Sequence, residues 1–246
     1  MSVRSGFKTN SHRSLRVVAV VFVMLAVLLQ AFADGSARGT AVRNEQSVEL
    51  FSQPQIPARR VGTTITIAEL QFVNSKISSA SQFLDRFWRQ TFTAHGWFYS
   101  SPRIMEDGES AYYTPSTHTI HFNPVFFVEQ MRAAAGQTKT DGDFAPITIL
   151  AHEWGHSIQR QLGINAANNI DQELQADCFA GAFAKAARDA GVLDPGDIDE
   201  ATYTLFSGRD ATGTSPYYSN AHGNGTQRVD AYLSGLKSGV RGCGIR

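Results

Sequence analysis

The sequence carries no net charge, because 22 lysines and arginines balance 22 aspartates and glutamates among its 246 residues. A chain without a basic excess has no electrostatic reason to bind a polyanion, and it contains no nucleic-acid-binding motif, so no nucleic acid partner is expected. Internal repeats are also absent. Cysteine is scarce, since Cys178 and Cys243 are the only two. The length suits one domain with a sizeable core.

Long hydrophobic runs are missing as well. The longest apolar stretch has 13 residues, from Val17 to Leu29, whereas a membrane-spanning helix needs about 20. Basic residues precede this run and Ala31-Phe32-Ala33 supplies a small-x-small cleavage site, so residues 1–33 are predicted to be a cleaved signal peptide. The protein is therefore expected outside the cytoplasm, secreted or periplasmic. The alternative is a signal anchor that holds it to the membrane by residues 17–33.

The rest of the chain divides into a short irregular segment and one domain. Residues 34–60 mix Gly, Ser, Arg, Gln and Pro without periodicity and are predicted to be a linker or short pro-segment. The domain is predicted from 61 to 246. Apolar residues recur at helical spacing from Ile67 to about Phe92, which packing of a helix against a core explains. Short extended stretches between 102 and 122 indicate a small hairpin.

The most informative cluster is His152-Glu153-Trp154-Gly155-His156. Apolar residues around it predict one helix from about Pro146 to Leu162, with Gly163 at the C-cap. Residues four apart lie on the same helical face, so the imidazoles of His152 and His156 can bind one ion. Trp154 is about 200° round from His152 and is predicted to pack inward. The pattern is typical of zinc-dependent peptidases, in which the glutamate acts as general base.

Two histidines do not complete a catalytic zinc site, which takes three protein ligands. A third histidine six residues after His156 is excluded, because that position is Leu162. The other arrangement takes a glutamate from a second helix, and the stretch from Asp171 to Ala190 is predicted to be helical. Glu173 is the candidate ligand on it.

Two further residues on the second helix have predicted roles. Asp177 follows Glu173 by four residues on the same face, where a carboxylate can accept the free ring N–H of a zinc-bound histidine and fix its tautomer. Gly181, one turn further, would let the two zinc-site helices approach closely.

These residues resemble the core of the bacterial putative neutral zinc metallopeptidases. The likeness extends upstream to Ala111–Pro115 and Thr119–Phe122, and downstream to His222-Gly223 and Gln227-Arg228, so that it covers about residues 62 to 246. The resemblance implies an α+β, mainly helical, zincin-like domain with a small β-hairpin or sheet beside the zinc-binding helix. It also implies one Zn²⁺ per chain and a peptide or protein substrate.

His222 is a further catalytic candidate. Glycines in its loop permit tight turns that would bring the imidazole to the zinc. There it is predicted to donate a hydrogen bond to the oxyanion formed during hydrolysis, a role that the three ligands and Glu153 leave unfilled. The alternative is a solvated loop histidine. No metal role is expected for His118 and His121.

The sequence therefore predicts an exported peptidase that uses a zinc-activated water, with Glu153 as general base. Two alternatives share most of the same residues: an exported zinc-binding module without turnover, and a zinc hydrolase acting on a non-peptide amide. A disulfide between Cys178 and Cys243 is expected, because export permits it and it would tie the C-terminal tail to the helix that carries Glu173. Two free thiols are the alternative.

Overall fold

The computed structural model describes residues 64–245. The predicted signal peptide, the linker and the first residues of the predicted domain lie outside these described residues, so those boundaries stay predictions. The described elements are α1 (Ile67–Ala94), β1 (Arg103–Glu106), β2 (Ala111–Thr114), β3 (Thr119–Phe122), α2 (Pro124–Thr138), α3 (Phe144–Leu162), α4 (Asn169–Asp189), α5 (Asp197–Ser207), α6 (Gly225–Ser238) and a short 3-10 helix (Gly239–Cys243). The predicted α+β, mainly helical class is confirmed.

The long helix α1 begins at a capping box, in which Thr66 and Glu69 satisfy each other's backbone N–H groups. Its apolar stripe is buried as the periodicity predicts. Trp88 packs edge-on against Phe179 of α4, with ring centroids 5.3 Å apart, and Phe83 packs in the same way against Phe183. The apolar face of α1 therefore packs against α4 and completes the core on that side.

The small sheet has the strand order β1-β3-β2. Strands β2 and β3 form the expected antiparallel hairpin, but β1 pairs with β3 in parallel, which the sequence did not predict. The apolar strand takes the centre, since Ile120 and Phe122 of β3 are buried. The turn at Asp107-Gly108 joins β1 to β2, but these two strands do not pair, because β3 lies between them. The Asp107 N–H bonds to the Phe122 carbonyl of β3 at 3.0 Å.

Helix α3 occupies the middle of the domain and contacts α1, α2, α4, α5 and β2. Gly163 ends it in the left-handed conformation, with φ of 63°, as the sequence predicts. Trp154 is buried on the side away from the two histidines, where its indole N–H donates to the Tyr99 hydroxyl at 3.2 Å. The face that carries His152 and His156 turns toward α4.

Glycines set how closely α4 approaches its neighbours. A Cβ on Gly155 of α3 would lie 3.0 Å from the Ala176 backbone, so this glycine permits the contact between the zinc-site helices. The prediction for Gly181 was wrong. Its missing side chain makes room for α6, because a Cβ there would lie 1.9 Å from the Tyr232 carbonyl oxygen.

The C-terminal end of the domain is tied to α4 by a disulfide between Cys178 and Cys243, whose Cα atoms are 5.6 Å apart. This is the pairing expected from the sequence, and it attaches the tail one residue after Asp177. Among residues 64–245, none of the helices has the length and apolar character needed to span a bilayer.

Candidate metal centre

Three side chains from two helices bring their metal-binding atoms together. Nε2 of His152 lies 3.1 Å from Nε2 of His156 and 3.1 Å from Oε2 of Glu173, and His156 Nε2 lies 3.3 Å from the other carboxylate oxygen. Zinc binds nitrogen and oxygen at about 2.0–2.1 Å in a tetrahedron, which places neighbouring ligand atoms about 3.3 Å apart. The donor set and its spacing thus fit one zinc ion.

The first histidine is oriented from behind by a carboxylate. His152 Nδ1 lies 2.7 Å from Oδ1 of Asp177, which is fully buried. A carboxylate only accepts hydrogen bonds, so the ring proton sits on Nδ1 and the Nε2 lone pair points toward His156 and Glu173. Burial lowers the pKa of His152, but Asp177 and Glu173 outweigh it and raise that pKa to about 10. The same negative charge favours a metal cation at Nε2.

Asp177 has a second partner, which lies on α6. The Arg228 guanidinium donates to both of its carboxylate oxygens, from Nε and Nη2, at 2.8 Å each. A third hydrogen bond runs from Arg228 Nη1 to the Gly208 carbonyl, also at 2.8 Å. Burial raises the pKa of Asp177, but Arg228 and His152 together hold it below its usual value. Asp177 therefore remains a carboxylate beneath the metal ligands.

Glu153 is buried beside the two histidines on α3. Burial raises its pKa, while His152 and His156 act to lower it and the net shift is upward. The backbone N–H of Tyr113 on β2 also acts to lower the pKa of Glu153. A carboxylate held in place with a raised pKa can take up a proton and release it again, as general base catalysis requires.

His222 lies at the edge of the three-ligand cluster. Its Nε2 is 3.9 Å from Oε2 of Glu173, and 44% of its side chain is exposed. Asp210 holds this loop, because its Oδ2 accepts the backbone N–H groups of His222 and Gly223 at 2.7 and 2.8 Å. The structure thus brings His222 to the site, on the solvent side of Glu173.

The other histidines considered from the sequence lie elsewhere. The ring of His118 contacts the Tyr113 hydroxyl at 2.8 Å, and Nδ1 of His121 contacts Asp107. Within the described part of the chain, neither belongs to a group of side chains able to hold a metal ion.

A second group of potential ligands consists of the buried carboxylates of Asp143, Asp197 and Glu200. Here a protein cation is already present, since Lys76 Nζ lies 2.6 Å from Asp143 Oδ2. Glu200 accepts the backbone N–H groups of residues 142 and 144 at 2.8 and 2.7 Å. Burial, with the neighbouring carboxylates, raises the pKa of Asp197 to about 8. This cluster links α1 and α5 to the N-terminus of α3.

Sequence reasoning missed three residues that support the site, which are Gln159, Asp210 and Arg228. Gln159 follows His156 by one helical turn, so its spacing was a usable signal. Its side chain faces Nδ1 of that histidine at 2.9 Å. Arg228 stood in a recognised sequence element without an assigned role. No local sequence pattern pointed to Asp210.

A His-Glu-x-x-His helix with a glutamate ligand from the next helix is the arrangement of zinc-dependent peptidases. The chain belongs to a family of this kind, because the family model described as "Putative neutral zinc metallopeptidase" matches residues 15–243. The resemblance seen in the sequence is thereby confirmed.

Curated relatives extend over most of the chain. The uncharacterized protein YpfJ of Escherichia coli strain K12 is 26% identical over 268 residues, covering 95% of this chain and 86% of YpfJ. The uncharacterized proteins Rv2575 of Mycobacterium tuberculosis strain H37Rv and Mb2605 of Mycobacterium bovis are each 25% identical over 209 residues, covering 69% of this chain and 69% of each relative. No solved structure matches the chain.

Proposed function

We propose that this protein is an exported zinc-dependent peptidase. The observation that carries the proposal is the convergence of three side chains, those of His152, His156 and Glu173, whose metal-binding atoms lie 3.1 to 3.3 Å apart. Glu153 lies on α3 between the two histidines. Membership of a zinc metallopeptidase family also supports the assignment. The expected stoichiometry is one zinc per chain.

The metal would be held by those three side chains, with Asp177 orienting His152 from behind. Bound there, zinc would polarise the scissile carbonyl and lower the pKa of a water molecule to about 7. Glu153 would take the proton from that water and pass it to the leaving amine. Burial restricts the carboxylate to a position beside the two histidines for both transfers.

An extended peptide would bind along β2. Within residues 64–245 this strand pairs with β3 alone, so its other edge is open to a further strand. That edge faces α3, because β2 contacts α3 and the Tyr113 backbone acts on the pKa of Glu153. Strand addition there would place the backbone of a substrate beside the general base. This geometry favours a peptide over a small non-peptide amide.

An extracytoplasmic location is part of the proposal. The composition of residues 1–33 supports it, and the disulfide between Cys178 and Cys243 supports an oxidising compartment.

The test combines metal content with proteolysis. Purified protein is incubated with a denatured proteome, with and without chelator, and new peptide termini are identified. Glu153→Gln should retain one zinc and its fold but produce almost no new termini, because the amide cannot accept the proton. Glu129→Gln, the same change on the exposed face of α2, is the control and should behave as wild type.

Each alternative predicts a different result. A protein that binds zinc and produces no chelator-sensitive termini would be a binding module. Hydrolysis of non-peptide amides alone would indicate the amidohydrolase. Full zinc occupancy in Glu173→Ala would contradict the ligand set.

A further inference from the structure

The two zinc-site histidines have different partners at Nδ1. His152 faces the carboxylate of Asp177, whereas His156 faces a neutral amide. Nδ1 of His156 lies 2.9 Å from Oε1 of Gln159. An amide offers either an oxygen or an NH₂ group, and the two choices require opposite histidine tautomers. The oxygen needs a proton on Nδ1 and leaves the Nε2 lone pair for a metal. The NH₂ group would need the lone pair on Nδ1 and would leave a proton on Nε2, which blocks the metal.

A chain of hydrogen bonds fixes which way the Gln159 amide faces. Its Nε2 donates to the Gln172 carbonyl at 2.7 Å and to Oε1 of Gln175 at 3.1 Å. Gln175 in turn donates from Nε2 to the Cys243 carbonyl at 3.1 Å. Main-chain carbonyls only accept hydrogen bonds, so neither amide can be turned round without losing its partner. The oxygen of Gln159 is therefore the atom that faces His156.

Burial makes the hydrogen bonds of this network energetically important. Gln159 is only 2% exposed, so water does not compete for the amide, and an unpaired polar group there would be costly. The Cys243 carbonyl at the far end is fixed to α4 by its disulfide with Cys178. The C-terminal tail thus reaches the zinc site through two glutamine side chains.

We propose that Gln159 is a positioning residue, which holds His156 in the tautomer that binds zinc through Nε2. We further propose that Gln175 and the disulfide-tethered Cys243 carbonyl are its outer support. The inference rests on the proposed zinc site and assigns to the C-terminal tail a part in metal affinity.

The test is zinc affinity, measured by competition with a chromogenic chelator at neutral pH. Gln159→Met keeps the shape but loses every hydrogen bond, and it should weaken zinc binding by about tenfold to a hundredfold, as loss of an outer partner does. Gln159→Glu keeps an oxygen that accepts from Nδ1 but loses both donations from Nε2, so it should recover only part of the affinity lost in Gln159→Met, a partial rescue that a purely structural role would not give. Gln161→Met is the matched control. It lies on the same helix and loses bonds to Ser100 and Ser157, so it should leave zinc affinity unchanged.

Gln175→Met tests the outer support at a half-buried position, where folding is less at risk. It should weaken zinc binding by less than tenfold, because Gln159 keeps its bond to the Gln172 carbonyl. Wild-type affinity in Gln159→Met overturns the positioning role. If that variant does not fold, equal affinities in Gln175→Met and Gln161→Met overturn the proposal. Failure of the wild-type protein to bind zinc would instead refute the proposed function itself.

Discussion

The pair formed by Asp177 and Arg228 gives the sharpest prediction about stability. Asp177 is 0% and Arg228 7% exposed, and two hydrogen bonds of 2.8 Å join them. Removal of one partner from a buried ion pair typically costs about 3–5 kcal/mol, because the other charge is left without compensation. The two single variants should differ in cost, since only one of them leaves a substitute charge in place.

In Asp177→Asn the guanidinium stays charged at any accessible pH, so the full cost of about 3–5 kcal/mol is expected in the free energy of unfolding. In Arg228→Met, Asp177 keeps its bond to His152 Nδ1. The raised pKa of that histidine allows it to carry the compensating positive charge in zinc-stripped protein. Arg228→Met should therefore be the milder change. The double variant should be more stable than the sum of the singles predicts, by roughly 1–3 kcal/mol.

The assay is urea unfolding of zinc-stripped protein at pH 7, followed by tryptophan fluorescence. Arg89→Met, which breaks the half-exposed pair with Asp85, is the control and should cost no more than about 1 kcal/mol. Single effects that add within about 0.5 kcal/mol would refute the coupling. An Arg228→Met variant less stable than Asp177→Asn would refute the proposed compensation by His152.

Two further predictions concern catalysis and pH. His222→Ala should lower kcat by a factor on the order of a hundred with zinc content unchanged; loss of zinc would make it a ligand, and unchanged kinetics would leave it a solvated loop histidine. Burial raises the pKa of Asp197 to about 8, so folded protein keeps a proton that the unfolded chain releases near pH 4. The contribution of Asp197 to the free energy of unfolding should thus be greatest below pH 4 and fall as the pH rises to 8, by about 1.4 kcal/mol per pKa unit at most. Asp197→Asn stays neutral and should be the more stable protein at pH 8 by urea unfolding, whereas parallel pH profiles would contradict this cause.

The features predicted well from the sequence are local ones. Helix α3 begins two residues before its predicted start at Pro146 and ends at Leu162 as expected, because hydrophobic periodicity and a C-cap glycine act within a few residues. The spacing of His152 and His156 fixes a shared face for the same reason. Asp177 could be placed once a second helix was assumed, since it lies one turn after Glu173.

Features that depend on contacts distant in sequence were missed. Arg228 meets Asp177 across 51 residues, and no helical or strand period relates the two positions. The parallel pairing of β1 with β3 depends on which strand takes the centre of the sheet, which the turn at Asp107-Gly108 does not specify. Gly181 was assigned to the wrong neighbour because a glycine indicates a close approach without naming the partner.

The position of α4 explains why these distant contacts matter to the metal centre. The helix is packed closely on two sides, since a Cβ on Gly155 would lie 3.0 Å from Ala176 and a Cβ on Gly235 would lie 1.9 Å from the Cys178 carbonyl oxygen. Backbones this close leave little room for a relative shift, so α3, α4 and α6 are packed as one unit. Glu173 and its supporting carboxylate are thereby held at fixed distances from the α3 histidines. A zinc site built on such rigid elements keeps its geometry without help from its loops.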